Sequence, residues 1–313
     1  MKIAVMGAGG MGGYVGGRLA EVGEEVHLLA RGAHLRALRA YGLRIESPYG
    51  DAHIRPIEAT DDPSAIGPVD LVLFTVKLFD TTAAAERLAP LIGEGTRIVT
   101  LQNGIDSAAM IARHVAAERI AAGCIYVSAS IGEPGVIRSP GGARRMIVDG
   151  LRGDPAIAGF VAACARAPGL EACAMDAIVP AIWEKFVALS AFSAATCLAR
   201  QPIGVVLENR ETLDLLRSLL DENVAVARAA GNALLEGTAE SVLLFFRSLP
   251  YETKSSMLID LEAGKPLEMP WLAGRIRELG EAHGVPTPAN VAVVTALARY
   301  AAGASVAEPA RRR

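Results

Sequence analysis

The chain begins Met1-Lys-Ile-Ala-Val-Met-Gly-Ala-Gly-Gly-Met-Gly12, and these twelve residues contain its clearest structural signal. A short, mostly apolar run, Lys2–Met6, is typical of a buried strand and ends at a Gly7-x-Gly9-x-x-Gly12 motif. In such a motif the first glycine permits a tight turn and the second lets the backbone approach a pyrophosphate. The third glycine allows a helix to pack closely on the strand. The opening residues therefore predict a strand, a dinucleotide-binding loop and a helix.

The residues around the motif favour this interpretation. A helix that begins near Gly10 would direct its backbone N–H groups and the positive end of its dipole at the phosphates. Gly23 is a fitting helix end, and residues 25–30 then read as a second strand. A glycine-rich turn that binds nothing is the alternative. The residues expected to contact the dinucleotide are Gly7, Gly9, Gly10, Met11 and Gly12.

The end of the second predicted strand indicates which dinucleotide is bound. NAD-binding proteins place Asp or Glu about 20 residues after the glycines, where the carboxylate holds the ribose 2′-hydroxyl. This chain has Ala30-Arg31-Gly32 there and no carboxylate before Glu46. A guanidinium binds a 2′-phosphate in bidentate fashion, so Arg31 favours NADP(H). The alternative is that Arg31 is a solvated loop residue.

The composition argues against several classes of function. A formal net charge of −3 over 313 residues gives no reason to expect a nucleic acid or an anionic membrane as a partner. The five histidines show no metal-ligand spacing, so no metal site is expected. The cysteines form no C-x-x-C pair and read as buried thiols of a reducing compartment. These cysteines are Cys124, Cys164, Cys173 and Cys197.

No stretch resembles a secretory signal, and the uncharged residues 186–199 are too few to span a bilayer. The sequence therefore predicts a cytoplasmic protein that does not associate with membranes.

The apolar runs predict an α/β region. Residues 69–76 are a nearly continuous apolar run, as expected of a strand buried on both faces of a parallel sheet, and residues 97–101 read as another buried strand. Residues 81–91 and 155–165 read as helices. From 119 to 149, short β-rich segments alternate with turn residues, and we expect them at the far edge of this sheet, partly antiparallel.

Beyond residue 176 the strand signals disappear, and the apolar segments have helical spacing or length. We therefore predict an N-terminal Rossmann-type doubly wound sheet in residues 1–176 and an all-helical domain in residues 177–313. The helices predicted in the second domain are 178–198, 210–230, 239–249, 257–263, 271–283 and 288–301.

Two polar residues follow predicted strands and are candidates for a site. Lys77 follows the third predicted strand, and Asn103 follows the fourth. In an open parallel sheet, ligands bind outside the carboxyl ends of the strands, so both side chains are expected beside the glycine loop. The alternatives are a solvated lysine and an asparagine that only forms a turn before Gly104.

Lys185 begins a stretch with no charged residue before Arg200. Partial desolvation of such a lysine favours its neutral form and lowers its pKa. A reductase needs a group of this kind to protonate the alkoxide that forms when hydride reaches a carbonyl. The alternative is an ordinary surface pair of Glu184 and Lys185.

A third group of polar residues lies in the C-terminal third of the chain. Ser256 and Asp260 are four residues apart and share a helix face, and Glu268 lies between two prolines. A serine and a carboxylate could bind a substrate's carboxylate and hydroxyl, respectively. Helix capping and a solvated acid are the alternatives.

In the order of these features the chain resembles the ketopantoate reductase family, enzymes that reduce 2-dehydropantoate with NADPH in pantothenate biosynthesis. The resemblance covers almost the whole chain. By this resemblance Lys185 would be the general acid, and Asn103 and Lys77 would lie beside the nicotinamide, with Asn103 also contacting substrate. Glu268 would hold the substrate hydroxyl and Ser256 its carboxylate. The resemblance also implies a homodimer. The residues that carry it are the glycine motif, Arg31, Lys77, Gln102-Asn103-Gly104, Trp183-Glu-Lys185, Ser255-Ser-Met257, Glu268 and Gly284-Val-Pro-Thr-Pro288.

The chain departs from the family pattern one and two turns after the lysine. Members that act on ketopantoate tend to carry asparagines where this chain has Leu189 and Ser193, and Ile259 stands where a glutamine is expected. Ser193 remains a candidate substrate-binding residue. The more apolar wall leaves open a reductase of another small ketone, 2-keto acid or imine. A non-catalytic NADP(H)-binding protein is a further alternative.

Overall fold

The computed structural model describes residues 1–303, and the chain divides into two compact units. The first unit is Met1–Ile178 and the second begins at Val179. The elements of the first unit are β1 (Lys2–Met6), α1 (Gly10–Glu21), β2 (Glu25–Leu29), α2 (Gly32–Tyr41), β3 (Leu43–Glu46), β4 (Ala52–Ile54), β5 (Glu58–Thr60), β6 (Val69–Phe74), α3 (Thr81–Ala85), β7 (Ile92–Thr100), α4 (Ser107–Ile111), β8 (Ile120–Ile125), β9 (Ser130–Glu133), β10 (Val136–Arg138), β11 (Arg145–Asp149), α5 (Pro155–Arg166) and β12 (Glu171–Met175).

The first unit is built on an eight-stranded sheet with the strand order β12-β11-β8-β7-β6-β1-β2-β5. Neighbouring strands are parallel except β8 and β11, which are antiparallel. Alternate residues of β1 face two cores: Ile3 and Val5 pack with α1 and α5, whereas Ala4 and Met6 pack with α3 and α4. Both faces of the sheet are therefore covered, which explains the nearly continuous apolar run of β6 and the burial of the last three residues of β7.

The predicted position of residues 130–138 was wrong. They form β9 and β10 of a separate four-stranded sheet with the order β4-β3-β10-β9. The buried side chain of Ile137 lies against α1, where a Cβ at Gly13 would be 2.8 Å from it. Because α1 presents glycines on this face, the small sheet packs against α1, and β11 pairs with β8 in the main sheet.

Other elements differ from their predicted bounds. The predicted helix 81–91 is shorter, because α3 ends at Ala85 and Pro90 belongs to a separate 3₁₀ turn. Strand β7 begins five residues before the predicted start at 97. The edge strand β12 is mostly exposed, so its sequence has no apolar run that marks a strand.

The described part of the second unit contains helices and no strand, which confirms the predicted fold class. Asn209 caps α8 by accepting a hydrogen bond from the Thr212 amide, and Gly284, with φ of +67°, ends α11. The helices are α6 (Val179–Ala199), α7 (Ile203–Glu208), α8 (Arg210–Ala229), α9 (Thr238–Ser248), α10 (Ser256–Glu262), α11 (Ala273–His283) and α12 (Pro288–Leu297).

Helix α6 is longer than the uncharged stretch counted in the sequence. Its 21 residues are enough, by length and composition alone, to cross a membrane. However, 56% of its most apolar window is buried inside the protein, as in the core helix of a helical domain. The length of α6 is therefore weak evidence for a membrane span.

Three of the four cysteines are buried as predicted, and the prediction was wrong for Cys173, which is exposed on the edge strand β12. Burial raises the pKa of Cys164 and that of Cys197 to about 12. Both thiols are therefore protonated and unreactive at neutral pH.

Candidate active site

Four neighbouring parallel strands bring the predicted dinucleotide-binding residues to one edge of the sheet. The strands lie in the order β7-β6-β1-β2. Gly7 directly follows β1, and Arg31 lies two residues after β2. Lys77 lies three residues after the end of β6, and Asn103 lies three residues after the end of β7. All of them therefore follow carboxyl ends of strands, the edge at which α/β sheets bind ligands.

The glycine loop has the geometry that a pyrophosphate requires. Gly7 has φ of +101°, a conformation that favours glycine. A Cβ at Gly12 would lie 2.3 Å from the Gly7 carbonyl oxygen, so α1 packs closely on the loop. In contrast, a Cβ at Gly9 would meet no atom within 4 Å. The loop is closed on its protein side and open at Gly9, which fits a phosphate group.

The N-terminus of α1 supplies the positive end of a helix dipole to this loop. Gly9 is the N-cap residue, and the first turn contains neither an acidic residue nor a side-chain cap. The backbone N–H groups of the first turn are therefore suited to an anion.

Thr75 supports the loop and was missed by the sequence analysis. Its hydroxyl donates a hydrogen bond to the Gly7 carbonyl at 2.9 Å. The hydroxyl also lies only 2.3 Å from the position that a Cβ at Gly12 would take. Thr75 belongs to the segment after β6, and only the pairing of β6 with β1 reveals its role.

His34 is a second residue that the sequence analysis missed. It lies in the first turns of α2, three residues after Arg31, and its Nδ1 accepts a hydrogen bond from the Gly135 amide at 3.1 Å. Burial lowers the pKa of His34, and the nearby Ala8 backbone partly offsets this effect. The imidazole is therefore neutral at pH 7 and joins α2 to the β9–β10 turn beside the glycine loop.

Arg31 lies at the N-terminus of α2, directly after the segment that ends β2. It is the N-cap residue of α2, in extended conformation, and its side chain is exposed. The first turn of α2 contains no acidic residue. An exposed guanidinium at a helix N-terminus without neighbouring carboxylates is suited to a phosphate dianion.

Gln102 connects the two other predicted residues at this edge. Its buried amide donates to the Val76 carbonyl at 2.9 Å and to the Thr81 hydroxyl at 2.7 Å. Val76 precedes Lys77, and Gln102 precedes Asn103. The side chain of Gln102 therefore ties the chain just before Lys77 to the chain just before Asn103, a role that the sequence analysis did not assign.

In the second unit, Lys185 lies in the first half of α6. Trp183 and Phe186 are buried and contact each other edge to face, with ring centroids 5.6 Å apart. Lys185 is half-buried and Glu184 is exposed. The two aromatic rings anchor this part of α6, and the lysine is partly shielded from solvent.

The remaining candidates also lie in the second unit. Ser255 caps α10 by accepting a hydrogen bond from the Leu258 amide at 3.1 Å, so the neighbouring, exposed Ser256 is not the capping residue. The Thr196 and Ser255 hydroxyls are 2.8 Å apart and join α6 to α10. Glu268 is only 5% exposed and is therefore not a solvated acid. Ser193 is fully buried.

No group of three or more His, Cys, Asp or Glu side chains within residues 1–303 could hold a metal ion.

Comparison with known proteins identifies the family. Residues 3–149 match the family described as ketopantoate reductase PanE/ApbA, and residues 177–301 match its C-terminal domain. The chain belongs to the ketopantoate reductase family. This confirms the resemblance inferred from the sequence and places the chain among pyridine nucleotide-dependent oxidoreductases that act on a CH–OH group.

Relatives in the ketopantoate reductase family match over nearly their whole length. The 2-dehydropantoate 2-reductase of Halobacterium salinarum is 34% identical over 92% of this chain and 95% of its own. That of Caulobacter vibrioides is 32% identical over 95% of this chain and 98% of its own. A ketopantoate reductase structure from Ralstonia eutropha, 32% identical, superposes with a TM-score of 0.87 over 96% of this chain and 98% of its own.

A more distant structure has the same fold. The ketopantoate reductase of Staphylococcus aureus, described as dimeric, is 20% identical with a TM-score of 0.77 over 96% of this chain and 99% of its own.

Proposed function

We propose that this chain reduces 2-dehydropantoate (ketopantoate) to pantoate with NADPH. The observation that carries the proposal is the match, along nearly the whole chain, to relatives named 2-dehydropantoate 2-reductase. The site geometry supports it, because the first unit offers an open glycine loop and the second unit carries a half-buried lysine.

The first unit would hold NADP(H) at the carboxyl edge of its sheet. The loop from Gly7 to Gly12 and the N-terminus of α1 would bind the pyrophosphate, and Arg31 would bind the 2′-phosphate. Lys77 and Asn103 would lie at the nicotinamide end. The dinucleotide, when bound, supplies the hydride.

The second unit would supply the proton and most of the substrate contacts. Reduction of a ketone places negative charge on its oxygen, and Lys185 would donate the proton to that oxygen. Glu268 would accept a hydrogen bond from the substrate hydroxyl, and Ser256 would bind its carboxylate. Asn103 and Ser193 would complete the set of substrate contacts.

A panel of 2-keto acids, assayed with NADPH and with NADH, tests the proposed function. We expect the highest kcat/KM for ketopantoate with NADPH. A wide preference for another keto acid, or for an imine, would instead support a different reductase, as Leu189 and Ser193 allow. Tight NADPH binding without turnover of any substrate would indicate a non-catalytic NADP(H)-binding protein.

Replacing Arg31 by alanine should weaken the use of NADPH and leave the use of NADH nearly unchanged. A hydrogen bond to a charged group is worth about 1.5–3 kcal/mol, which corresponds to a rise of about 10- to 150-fold in the KM for NADPH. The matched control is Arg36→Ala, which removes another exposed arginine of α2. Equal losses with NADPH and NADH would contradict the role of Arg31 in binding the 2′-phosphate.

We also propose that the protein is a cytoplasmic homodimer. Three buried thiols and the absence of a C-x-x-C pair in the sequence are consistent with the reducing environment of the cytoplasm. The dimer is supported by the description of the Staphylococcus aureus enzyme as dimeric.

A further inference from the structure

Helix α6 carries Lys185, but its apolar pattern gives it little preference for one rotation about its own axis. The helix contains six alanines, and every residue from Ser193 to Cys197 is buried. An amphipathic helix loses apolar burial when it rotates, whereas a helix that is apolar on all sides does not. Polar contacts therefore add to the packing of Trp183 and Phe186 in setting the rotation of α6, and the Thr196–Ser255 hydroxyl pair is one of them, in the C-terminal half of the helix.

Asn223 of α8 makes such a contact. Its side chain is fully buried, and its Nδ2 donates a hydrogen bond to the Val187 carbonyl oxygen at 3.0 Å. Val187 lies two residues after Lys185, which places the two side chains about 200° apart around the helix. Val187 is fully buried, whereas Lys185 lies on the other, half-buried side of α6.

Asn223 is itself held by a hydrogen-bonded chain from α12. Asn290 Nδ2 donates to Asn223 Oδ1 at 3.1 Å and to Glu222 Oε2 at 2.8 Å. The Glu222 carboxylate also accepts the backbone N–H groups of Ala289 at 2.7 Å and of Asn290 at 3.0 Å. The negative charge of Glu222 therefore caps the N-terminus of α12, and three helices are joined by one chain that ends on α6.

A rotation of α6 would break the last hydrogen bond of this network, the one from Asn223 Nδ2 to the Val187 carbonyl oxygen. The buried amide of Asn223 would then lose its acceptor, at a cost of about 1–3 kcal/mol. A single buried asparagine is known to select one helix register over others that bury similar apolar surface. The same cost selects one rotation of α6.

We propose that Asn223 is a positioning residue that sets the rotation of α6 and thereby orients the ammonium group of Lys185. The inference rests on the proposed role of Lys185 as the proton donor. A displacement of about 1 Å of a catalytic group can reduce the rate by about 100-fold, so a small rotation of α6 is enough to matter.

Two variants test the proposal. Asn223→Leu keeps the approximate volume and removes the amide. The double variant Asn223→Leu/Asn290→Leu removes both amides, so that neither is left unpaired if the single variant fails to fold. We expect the kcat for ketopantoate to fall about 10- to 100-fold, with little change in KM or in NADPH affinity. The alkaline limb of the kcat–pH profile is expected to shift.

A second measurement does not depend on turnover. Acetic anhydride acetylates amines, and mass spectrometry of the peptides gives the labelling rate of Lys185 in the whole protein at each pH. We expect this rate to change about threefold or more in the Asn223 variants, because the exposure of the ammonium group changes. The exposed Lys265 is the internal reference and should label as in the wild type.

Ile276→Val, a substitution of a buried residue on α11, is the matched control for lost stability. It should lower the Tm without changing kcat or the labelling of Lys185. The proposal is overturned if the Asn223 variants behave in the same way. If labelling of Lys185 changes but the wild type reduces no substrate, the positioning role stands and the proposed function fails.

Discussion

Replacing Lys185 by alanine should collapse turnover while NADPH binding stays nearly unchanged. A positioned proton donor contributes roughly 100- to 10,000-fold to the rate, so we expect kcat to fall by about that factor. The pyrophosphate and 2′-phosphate contacts proposed above come from the first unit, and Lys185 belongs to the second. The measurements are kcat at saturating ketopantoate and NADPH, and the Kd for NADPH from a fluorescence titration.

Two further variants separate proton donation from charge. Lys185→Arg keeps a cation, but a guanidinium does not release its proton near neutral pH, so this variant should be almost as slow as Lys185→Ala. Lys265→Ala removes another lysine of the second unit, one that is exposed, and should leave kcat unchanged. Unchanged turnover of Lys185→Ala would exclude the lysine as the proton donor.

The sheet edge that carries the dinucleotide-binding candidates could be predicted from the sequence. β1 and β6 are short apolar runs, and each is followed by a turn with a glycine or a polar residue. The carboxyl ends of parallel strands lie at the same edge of a sheet. Recognising both runs as strands is therefore enough to place Gly7 and Lys77 at one edge.

The residues that support this edge could not be predicted in the same way. The role of Thr75 depends on the pairing of β6 with β1, and that of Gln102 depends on the pairing of β7 with β6. A threonine and a glutamine at a strand end are common turn residues, and no local pattern distinguishes those that hold a neighbouring strand.

The second sheet shows a different limit of sequence patterns. Strand β9 is exposed along its whole length, and β10 has only three residues, so neither segment indicates which sheet it joins. Their position depends on the glycines of α1, which leave room for Ile137. A glycine inside a helix is visible in the sequence, but the segment that packs against it is not.

The helices of the second unit were predictable from their length and apolar content, whereas their polar contacts were not. Glu222 and Asn290 are separated by 68 residues and meet only because α8 and α12 pack together. In the sequence, Asn223 is one polar residue of an amphipathic helix with many charged residues. Its burial, which gives it a candidate role, is visible only in the folded structure.

Replacing Gly9 by alanine should abolish most NADPH affinity and leave the fold intact. A Cβ at this position meets no protein atom within 4 Å, and the φ of −75° is compatible with alanine. In the proposed complex the same methyl group would lie against the pyrophosphate. An overpacked contact costs about 1–3 kcal/mol, so the Kd for NADPH should rise about 5- to 150-fold. Fluorescence titration gives the Kd, and thermal unfolding gives the Tm.

The comparison of Gly9 with a second glycine makes the test specific for the ligand. A Cβ at Gly95 of β7 also meets no atom within 4 Å, and this residue is exposed, so Gly95→Ala should change neither the Tm nor the Kd. Glycine is a better N-cap residue than alanine, so Gly9→Ala should also lower the free energy of unfolding by about 0.5–1 kcal/mol. A large loss of NADPH affinity in Gly9→Ala alone, at nearly constant Tm, means that the open side of the loop is the pyrophosphate site. An unchanged Kd would mean that this glycine loop, although correctly folded, is a turn that binds nothing.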